Sequence, residues 1–305
     1  MRGTALRPRR YSRRVREAGL GYLLLAPSIA VFAVFIFYPF FKNFYLGLYR
    51  NPFFPGQPRR WVGFEQYSDV LTSSEFAKSV RITVLFALYT VPVGIALGLA
   101  LALAAHQRLR GIAIYRTIFS STIATSVAVA SVIFGTLLNP RVGLLPWIGL
   151  ESTPPILENP TWALLAVSVT TIWQNLGLSF ILMSAGLQAI PDDLLEAAHV
   201  DGAGAWSRFR NVTLPLLSPT IFFAVIVGSI FAFQSFGQID LLTRGGPLGD
   251  ETNVLTYFIY RQLRGTEQVP DEGVAAVLAI ALFAITLLLT VIQIRVLERR
   301  VFYGR

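Results

Sequence analysis

The chain has 305 residues, of which 54% are hydrophobic and only 14% are charged, and its mean hydropathy is +0.57. Soluble domains usually carry about 25% charged residues, so this composition argues against a soluble globular domain. The sequence contains no cysteine, which excludes disulfides, cysteine-based metal sites and thiol catalysis.

Six long apolar segments dominate the chain, and each is long enough for a helix to cross a hydrocarbon core of about 30 Å. None of them contains Asp, Glu, Lys, Arg or His, and none alternates polar and apolar residues as a barrel strand does. The sequence therefore predicts an all-α polytopic membrane protein with a transmembrane domain over residues 20–294. The six predicted spans are 20–41, 82–104, 117–138, 161–187, 214–237 and 273–294.

A basic segment, residues 1–19, precedes the first span, and we expect it to be a disordered tail. It does not read as part of a signal peptide, because the following apolar stretch is long for a signal core and no small-residue cleavage site follows it. The loop 42–81 mixes turn-forming and aromatic residues, which predicts an ordered loop with a short helix near residues 73–79. Residues 295–305 are expected to form a second short tail.

The distribution of charge predicts the orientation of the chain. If both termini lie inside, the inner segments carry 16 basic and 6 acidic residues, and the outer segments carry 10 basic and 11 acidic residues. The positive-inside rule therefore places both termini in the cytoplasm. The net charge of +9 lies beside membrane helices, so anionic lipid headgroups are the expected partner rather than nucleic acid.

The chain lacks the means to power transport by itself. A phosphate-binding P-loop needs a Gly-Lys-Ser/Thr sequence, but the two lysines, Lys42 and Lys78, do not follow glycine. Carriers coupled to ions usually keep ionisable residues inside the membrane, and the predicted spans have none. The sequence offers no catalytic cluster and no metal-ligand set, so we expect a separate partner to supply the energy.

A polar segment, residues 188–213, interrupts the apolar part of the chain. Pro191 followed by two aspartates suits the first turn of a helix. Gly202 allows a tight bend, and a second helical turn with Trp206 follows it. Two interpretations remain open on these grounds: a docking site for the partner, or an amphipathic loop lying on lipid headgroups.

Polar and small residues also mark one face of each of two predicted spans. They recur at the helical spacing i, i+3, i+4 and i+7. Such faces either line a path through the membrane or pack helices together. The residues are Thr171, Gln174, Asn175 and Leu178 in the fourth span, and Gly228, Phe231, Ala232 and Ser235 in the fifth.

The polar segment resembles the EAA loop of the permease subunits of bacterial ABC importers. The matching positions are Glu196, Ala197, Ala198, Gly202, Leu214 and Pro215. Residues 115–117, 139–145, 185–188 and 242–247 are similar to the carbohydrate-uptake subfamily, in its maltose-permease-like first-type subunits. Residues 236–240 and 290–303 look like the permeases that import glycerol-3-phosphate and glycerophosphodiesters, although permeases for mono- and oligosaccharides share much of this pattern.

The resemblance implies a type I importer permease fold in the bacterial inner membrane. It implies a coupling loop over residues 188–213, in which Glu196, Ala197, Ala198, Asp201 and Gly202 meet the ATPase. The implied partners are a second homologous permease, two copies of a P-loop ATPase and an extracytoplasmic substrate-binding protein. ATP and Mg²⁺ then belong to the ATPase, and no cofactor is expected in this chain.

In the same family, the eight residues that mark the fourth and fifth spans correspond to the sugar site. This sequence departs from that pattern, because Gly228 and Ala232 stand where polar groups are found and Leu178 replaces an aromatic residue. These departures argue against a maltose-like pocket. The resemblance of residues 236–240 and 290–303 instead implies glycerol-3-phosphate or a glycerophosphodiester as the substrate, with a saccharide as the alternative. A stand-alone secondary carrier or channel, and a membrane scaffold without a pore, are the alternatives from other classes.

Overall fold

The computed structural model describes residues 9–52, 57–107, 110–149, 154–246, 250–265, 269–298 and 301. In this part of the chain, the only strands are Tyr49–Arg50 (β1) and Arg60–Trp61 (β2), which form one antiparallel pair with Tyr49 opposite Trp61. All other regular structure is helical. The helices are α1 (Arg9–Phe32), α2 (Tyr38–Leu46), α3 (Glu65–Leu71), α4 (Ser74–Ala105), α5 (Ile112–Ser121), α6 (Val127–Leu137), α7 (Leu144–Trp147), α8 (Ala163–Gln188), α9 (Asp192–Val200), α10 (Ala205–Arg208), α11 (Leu214–Phe233), α12 (Gly237–Leu242), α13 (Leu255–Arg264) and α14 (Glu272–Leu297).

Five helical segments in the described residues are long and apolar enough to cross a membrane. They are Leu20–Leu46, Ser74–Ala105, Ala163–Gln188, Ala205–Phe233 and Glu272–Leu297. A sixth span results if Ile112–Ala124 and Val127–Leu137, which meet at an angle of 103°, are counted as one broken span. The number of apolar segments therefore agrees with the sequence prediction, but the third span is not one straight helix.

The break in the third span corrects the prediction of a continuous helix over residues 117–138. Thr125 is extended, with ψ at 122°, and Ser126 caps α6 by accepting a hydrogen bond at its Oγ from the Val129 amide at 3.2 Å. Ser and Thr side chains compete with the helix for backbone hydrogen bonds, and a run of them surrounds this point. Apolar content predicted the span correctly, but it carried no information about this local competition.

The fifth span also ends earlier than predicted. Helix α11 stops at Phe233 rather than at residue 237, and residues 234–236 form a turn before the short helix α12. The second span starts earlier than predicted, since Ser73 caps α4 through a 3.2 Å hydrogen bond from the Phe76 amide. The short helix expected near residues 73–79 is therefore the first part of α4, and a separate helix, α3, precedes it.

The predicted tails are also shorter than expected. Helix α1 begins at Arg9, so residues 9–19 are helical rather than disordered; Arg, Glu and Ala favour helix and extend the apolar span. Helix α14 continues to Leu297, three residues into the predicted second tail. Residues 1–8, 299–300 and 302–305 of the two tails lie outside the described part of the chain, as does Pro247 of the motif at 242–247.

The described residues form three apolar clusters, and two of them lie on either side of a central space. One lies towards the end that carries α3 and α13, and includes Phe86, Val167 and Tyr257. The other lies towards the end that carries α9, which we call the α9 end, and includes Met183 and Leu217. Helices α4 and α8 approach closely between them, because Gly98 has no side chain to meet Ser179. The space left between the two clusters is the site described next.

Candidate functional site

A cavity of about 360 Å³ lies between α4, α8, α11 and the turn that leads into α12. All eight residues that the sequence singled out on the fourth and fifth spans line it. They are Thr171, Gln174, Asn175, Leu178, Gly228, Phe231, Ala232 and Ser235. The helical spacing thus brought together residues that are as much as 64 positions apart in the chain, while their role in transport stays a prediction.

Two of the polar side chains on α8 differ in what they leave open to the cavity. The hydroxyl of Thr171 donates to the Val167 carbonyl of its own helix at 2.9 Å. The side-chain amide of Asn175 donates to the Thr171 carbonyl at 3.0 Å. Among the described residues no group donates to the Asn175 side-chain oxygen, so Asn175 can offer an acceptor to a ligand.

Gln174 differs from Asn175 because both ends of its amide are engaged. Its Oε1 accepts a hydrogen bond from Gln238 Nε2 at 2.8 Å, and its Nε2 donates to the Thr125 carbonyl at 3.3 Å. Gln238 Oε1 in turn accepts from Ser235 Oγ at 3.4 Å, and the Ser235 carbonyl accepts from the Thr256 hydroxyl. A chain of hydrogen bonds therefore runs from the break in the third span, across α8, to the turn after α11.

The fifth span contributes the less polar wall of the cavity. Gly228 lies against Val91 of α4, with only 3.3 Å between the position of a Cβ and Val91 Cγ1. Ala232 is buried, and Phe231 is 50% exposed. Gly228 and Ala232, which stand where polar residues were expected from the family pattern, thus allow α11 to pack close to α4 and supply no side-chain hydrogen bonds.

Sequence reasoning missed several polar residues of the cavity. Gln238, Gln234, Ser179 and Thr90 line it together with the eight predicted residues. Gln234 and Gln238 are amides in an otherwise apolar stretch, and that signal was available. A helix drawn through residue 237 hid the turn at Gln234 and the separate helix α12 that carries Gln238. None of the described residues that line the cavity is ionisable.

At the α9 end of the bundle, the polar segment forms helix α9, a bend, and helix α10, which continues without a break into α11. The fifth span therefore begins at Ala205 rather than at residue 214. Helix α9 begins after Pro191 with Asp192 and Asp193 in its first turn, as the sequence predicted, and it ends at Val200. Gly202 adopts a φ of +80°, a conformation that favours glycine. The two helices are tied together by a 2.7 Å contact between Arg208 Nη1 and His199 Nδ1.

The surface of this segment is available for contact. Glu196, Ala197, Asp201 and Gly202 are exposed, and Ala198 is half-buried. The large side chains of Val200 and Trp206 are 85% and 71% exposed. Leu195 instead packs into the apolar cluster at the α9 end, so one side of α9 is anchored while the other is open.

That same cluster reaches the cavity. Ile95, Leu182 and Ala224 belong to the cluster that Leu195 packs against, and all three also line the cavity. The polar segment and the cavity are thus joined by continuous apolar packing. The described residues contain no group of three or more His, Cys, Asp or Glu that could hold a metal ion.

Comparison with known proteins identifies relatives over almost the whole chain. Residues 94–303 match the family model "Binding-protein-dependent transport system inner membrane component". The chain is 36% identical to the sn-glycerol-3-phosphate transport system permease protein UgpA of Agrobacterium fabrum, with 93% of this chain and 97% of that protein covered. It is 35% identical to the trehalose/maltose transport system permease protein MalF of Thermococcus litoralis, with 92% and 94% covered.

A solved structure has a similar fold. The match is to a chain of a bacterial ABC transporter involved in the import of the acidic polysaccharide alginate, with a TM-score of 0.80. It covers 95% of this chain and 99% of that chain at 24% sequence identity. At this identity the likeness concerns the fold.

Proposed function

The chain belongs to the inner membrane components of binding-protein-dependent transport systems, the permease subunits of ABC importers, and we propose that its cavity is this subunit's part of the translocation path. The all-α importer-permease fold expected from the sequence is confirmed, and the chain is a multi-pass transport component rather than an enzyme. Membership of this family rules out the two alternative interpretations, a stand-alone carrier or channel and a membrane scaffold without a pore. A permease of this kind works with a second permease, an ATPase and a substrate-binding protein.

The observation that carries the proposed path is the convergence of two polar helix faces on one cavity in an apolar bundle. Ligand sites are typically concave and mostly apolar, with a few well-placed polar groups. The cavity fits this description, since Asn175 presents an open acceptor and Gly228 and Ala232 supply a smooth apolar wall. Helix packing alone would not require an acceptor without a donor.

We further propose that the polar segment is the surface that meets the ATPase. The contact residues are Glu196, Ala197, Ala198, Asp201 and Gly202. The support is that α9 is anchored on one side by Leu195 and open on the other, as a docking helix requires. ATP and Mg²⁺ are bound by the partner ATPase, which is present in two copies.

The orientation follows from the same proposal. The α9 end faces the cytoplasm, together with both termini, and the end that carries α3 and α13 faces the binding protein. The excess of basic residues in the inner segments supports this orientation.

For the substrate, we propose glycerol-3-phosphate or a glycerophosphodiester; the relative from Agrobacterium fabrum is named as a permease of an sn-glycerol-3-phosphate transport system. A second candidate, a neutral mono- or oligosaccharide, is favoured by one specific observation. Charged donors such as guanidinium bind phosphate most strongly, yet the described lining of the cavity has no ionisable group. If the substrate is anionic, the second permease or the binding protein must supply the positive charge.

Purification of the tagged chain from its native membrane in mild detergent tests the assembly. We expect an ATPase, a second permease and an exported binding protein, identified by mass spectrometry. The chain has no cysteine, so Ala197→Cys introduces one reactive site in it, and we expect this site to cross-link to the ATPase. Recovery of the chain alone, without an ATPase adduct at position 197, would contradict the docking proposal.

Titration of the recovered binding protein tests the substrate. We expect sn-glycerol-3-phosphate or glycerophosphocholine to bind, and trehalose and maltose not to bind. Binding of only the sugars would move the assignment to the second candidate and leave the importer itself intact.

A further inference from the structure

Gln174, which is half-buried, and Gln238 form an amide pair at the level of two helix breaks. Gln238 is only 4% exposed and donates to Gln174 Oε1 at 2.8 Å. Gln174 Nε2 donates one hydrogen to the Thr125 carbonyl at 3.3 Å, and Gln238 Oε1 accepts from Ser235 Oγ. Both side-chain oxygens of the pair therefore already accept a hydrogen bond, whereas that of Asn175 does not.

The pair joins three separate parts of the bundle. Thr125 lies at the break between α5 and α6, Gln174 lies in the middle of the unbroken helix α8, and Gln238 lies in α12 just after the break that ends α11. The two breaks also touch, because a Cβ on Gly237 would lie 2.6 Å from Val127 Cγ1. Through the pair, one helix holds both breaks in place.

The environment makes the two glutamines act as a unit. In apolar surroundings an unpaired amide group is costly, and loss of either side chain removes the partner of one amide group on the other. A ligand-binding glutamine would instead be independent of its neighbour. This difference separates a positioning role from a binding role.

We propose that Gln174 and Gln238 are a positioning pair that fixes the two helix breaks around the cavity, and that Asn175 is the amide that faces the substrate. The role in positioning rests on the geometry of the breaks, and only the role of Asn175 rests on the proposed translocation path. The pair acts on transport through the shape of the cavity.

The test uses cysteine labelling of the assembled importer in membrane vesicles. Ser179→Cys places a single thiol in this chain on the cavity wall, and N-ethylmaleimide labels it without any substrate. Gln174→Met, Gln238→Met and the double variant are compared in this background. Gln293→Met is the matched control, because it removes a similar 2.8 Å hydrogen bond, from Gln293 Nε2 to Ser229 Oγ, away from the cavity.

We expect labelling to accelerate about 3- to 15-fold in each single variant, from the measured range for hydrogen bonds between membrane helices. The double variant should match the singles within about twofold, because all three disrupt one unit. The control should label at the parent rate. The proposal would be overturned if the acceleration in the double variant equalled the product of the two single-variant accelerations. It would also be overturned if neither single variant labelled faster than the parent.

If the methionine variants fail to assemble, the same labelling experiment is carried out with Gln174→Glu. A protonated carboxyl can still accept from Gln238 and donate to Thr125, whereas an ionised one has no donor. Relative to the parent at each pH, we expect labelling of this variant to be normal at low pH and fast at high pH. A rate ratio that does not change with pH would contradict the pairing.

Uptake kinetics separate this proposal from the translocation path. With sn-glycerol-3-phosphate and with trehalose as probes, the methionine variants at positions 174 and 238 should lower the maximal rate with little change in KM. Asn175→Leu should instead raise KM. If Asn175→Leu has no effect on uptake while the labelling results hold, the proposed translocation path is wrong and the positioning role of Gln174 and Gln238 is kept. If the methionine variants raise KM, Gln174 is a ligand and the positioning role is wrong.

Discussion

Gly177 is the point at which α8 touches the broken third span, and its replacement by alanine provides a quantitative test of that contact. A Cβ at this position would lie 2.6 Å from Thr122 Oγ1, 2.8 Å from the Ile123 amide nitrogen and 2.9 Å from the Ser120 carbonyl oxygen. Carbon atoms need about 3.5–4.0 Å, so the third span would have to move by roughly 1 Å. Two of the three neighbours are backbone atoms, which cannot rotate away.

The expected cost follows from three contributions. Overpacking typically costs about 1–3 kcal/mol, and the displacement breaks the 2.7 Å hydrogen bond from the Gly177 amide to Thr122 Oγ1, worth about 1 kcal/mol. The better helix propensity of alanine returns about 1 kcal/mol. Gly177→Ala should therefore lower the free energy of unfolding by about 1–3 kcal/mol.

Unfolding by sodium dodecyl sulfate in mixed micelles measures this change. Gly94→Ala is the matched control, because Gly94 also lies in a cavity-lining helix but has no atom within 4 Å of its Cβ position. The control should be unchanged or more stable by up to about 1 kcal/mol. If the two variants were equally stable, the close contact between α8 and the third span would be refuted.

Three further changes have defined outcomes. Asn175→Leu should reduce uptake up to about tenfold while the ATPase still assembles, because one hydrogen bond to the substrate is lost; Val169→Leu, an exposed neighbour on α8, should leave uptake unchanged. Gly202→Val should impair the coupling of ATP hydrolysis to uptake more than Gly202→Asn, because asparagine tolerates a positive φ better. Coupling is measured as the ratio of the ATPase rate to the uptake rate, and equal defects in the two variants would contradict this reasoning. Asp271→Ala should destabilise the last span by about 1 kcal/mol in the same detergent assay, because the Asp271 carboxylate accepts from two backbone amides at 2.9 and 3.1 Å; an unchanged unfolding free energy would show that this cap contributes nothing.

The spans and helix α9 could be predicted because each depends on local sequence. Long apolar segments without charge form membrane helices in nearly any context. The start of α9 depends on Pro191 and the two aspartates that follow, and its end on the bend at Gly202. The shared face of Asn175 and Gln174 follows from helix period alone.

The helix breaks could not be predicted, because their cause is partly tertiary. Thr125 and Ser126 weaken the helix locally, but the Thr125 carbonyl finds its partner on Gln174, 49 residues away. Ser235 likewise meets Thr256 across the bundle. Apolar content is the same on both sides of such a break, so a hydropathy pattern draws one helix through it.

The arrangement of the apolar clusters suggests how movement at the ATPase would reach the cavity. Leu195 packs into a cluster whose members Leu182 and Ala224 also line the cavity. Close-packed interiors compress little, so a displacement of α9 must be accommodated by these neighbours rather than absorbed between them. At the far side of the cavity the positioning pair holds the two breaks, which are the points where helices can bend with least loss of hydrogen bonding. A shift that starts at α9 is therefore expected to change the shape of the cavity at Thr125 and Ser235, where the chain is already broken, before it disturbs the continuous helix α8.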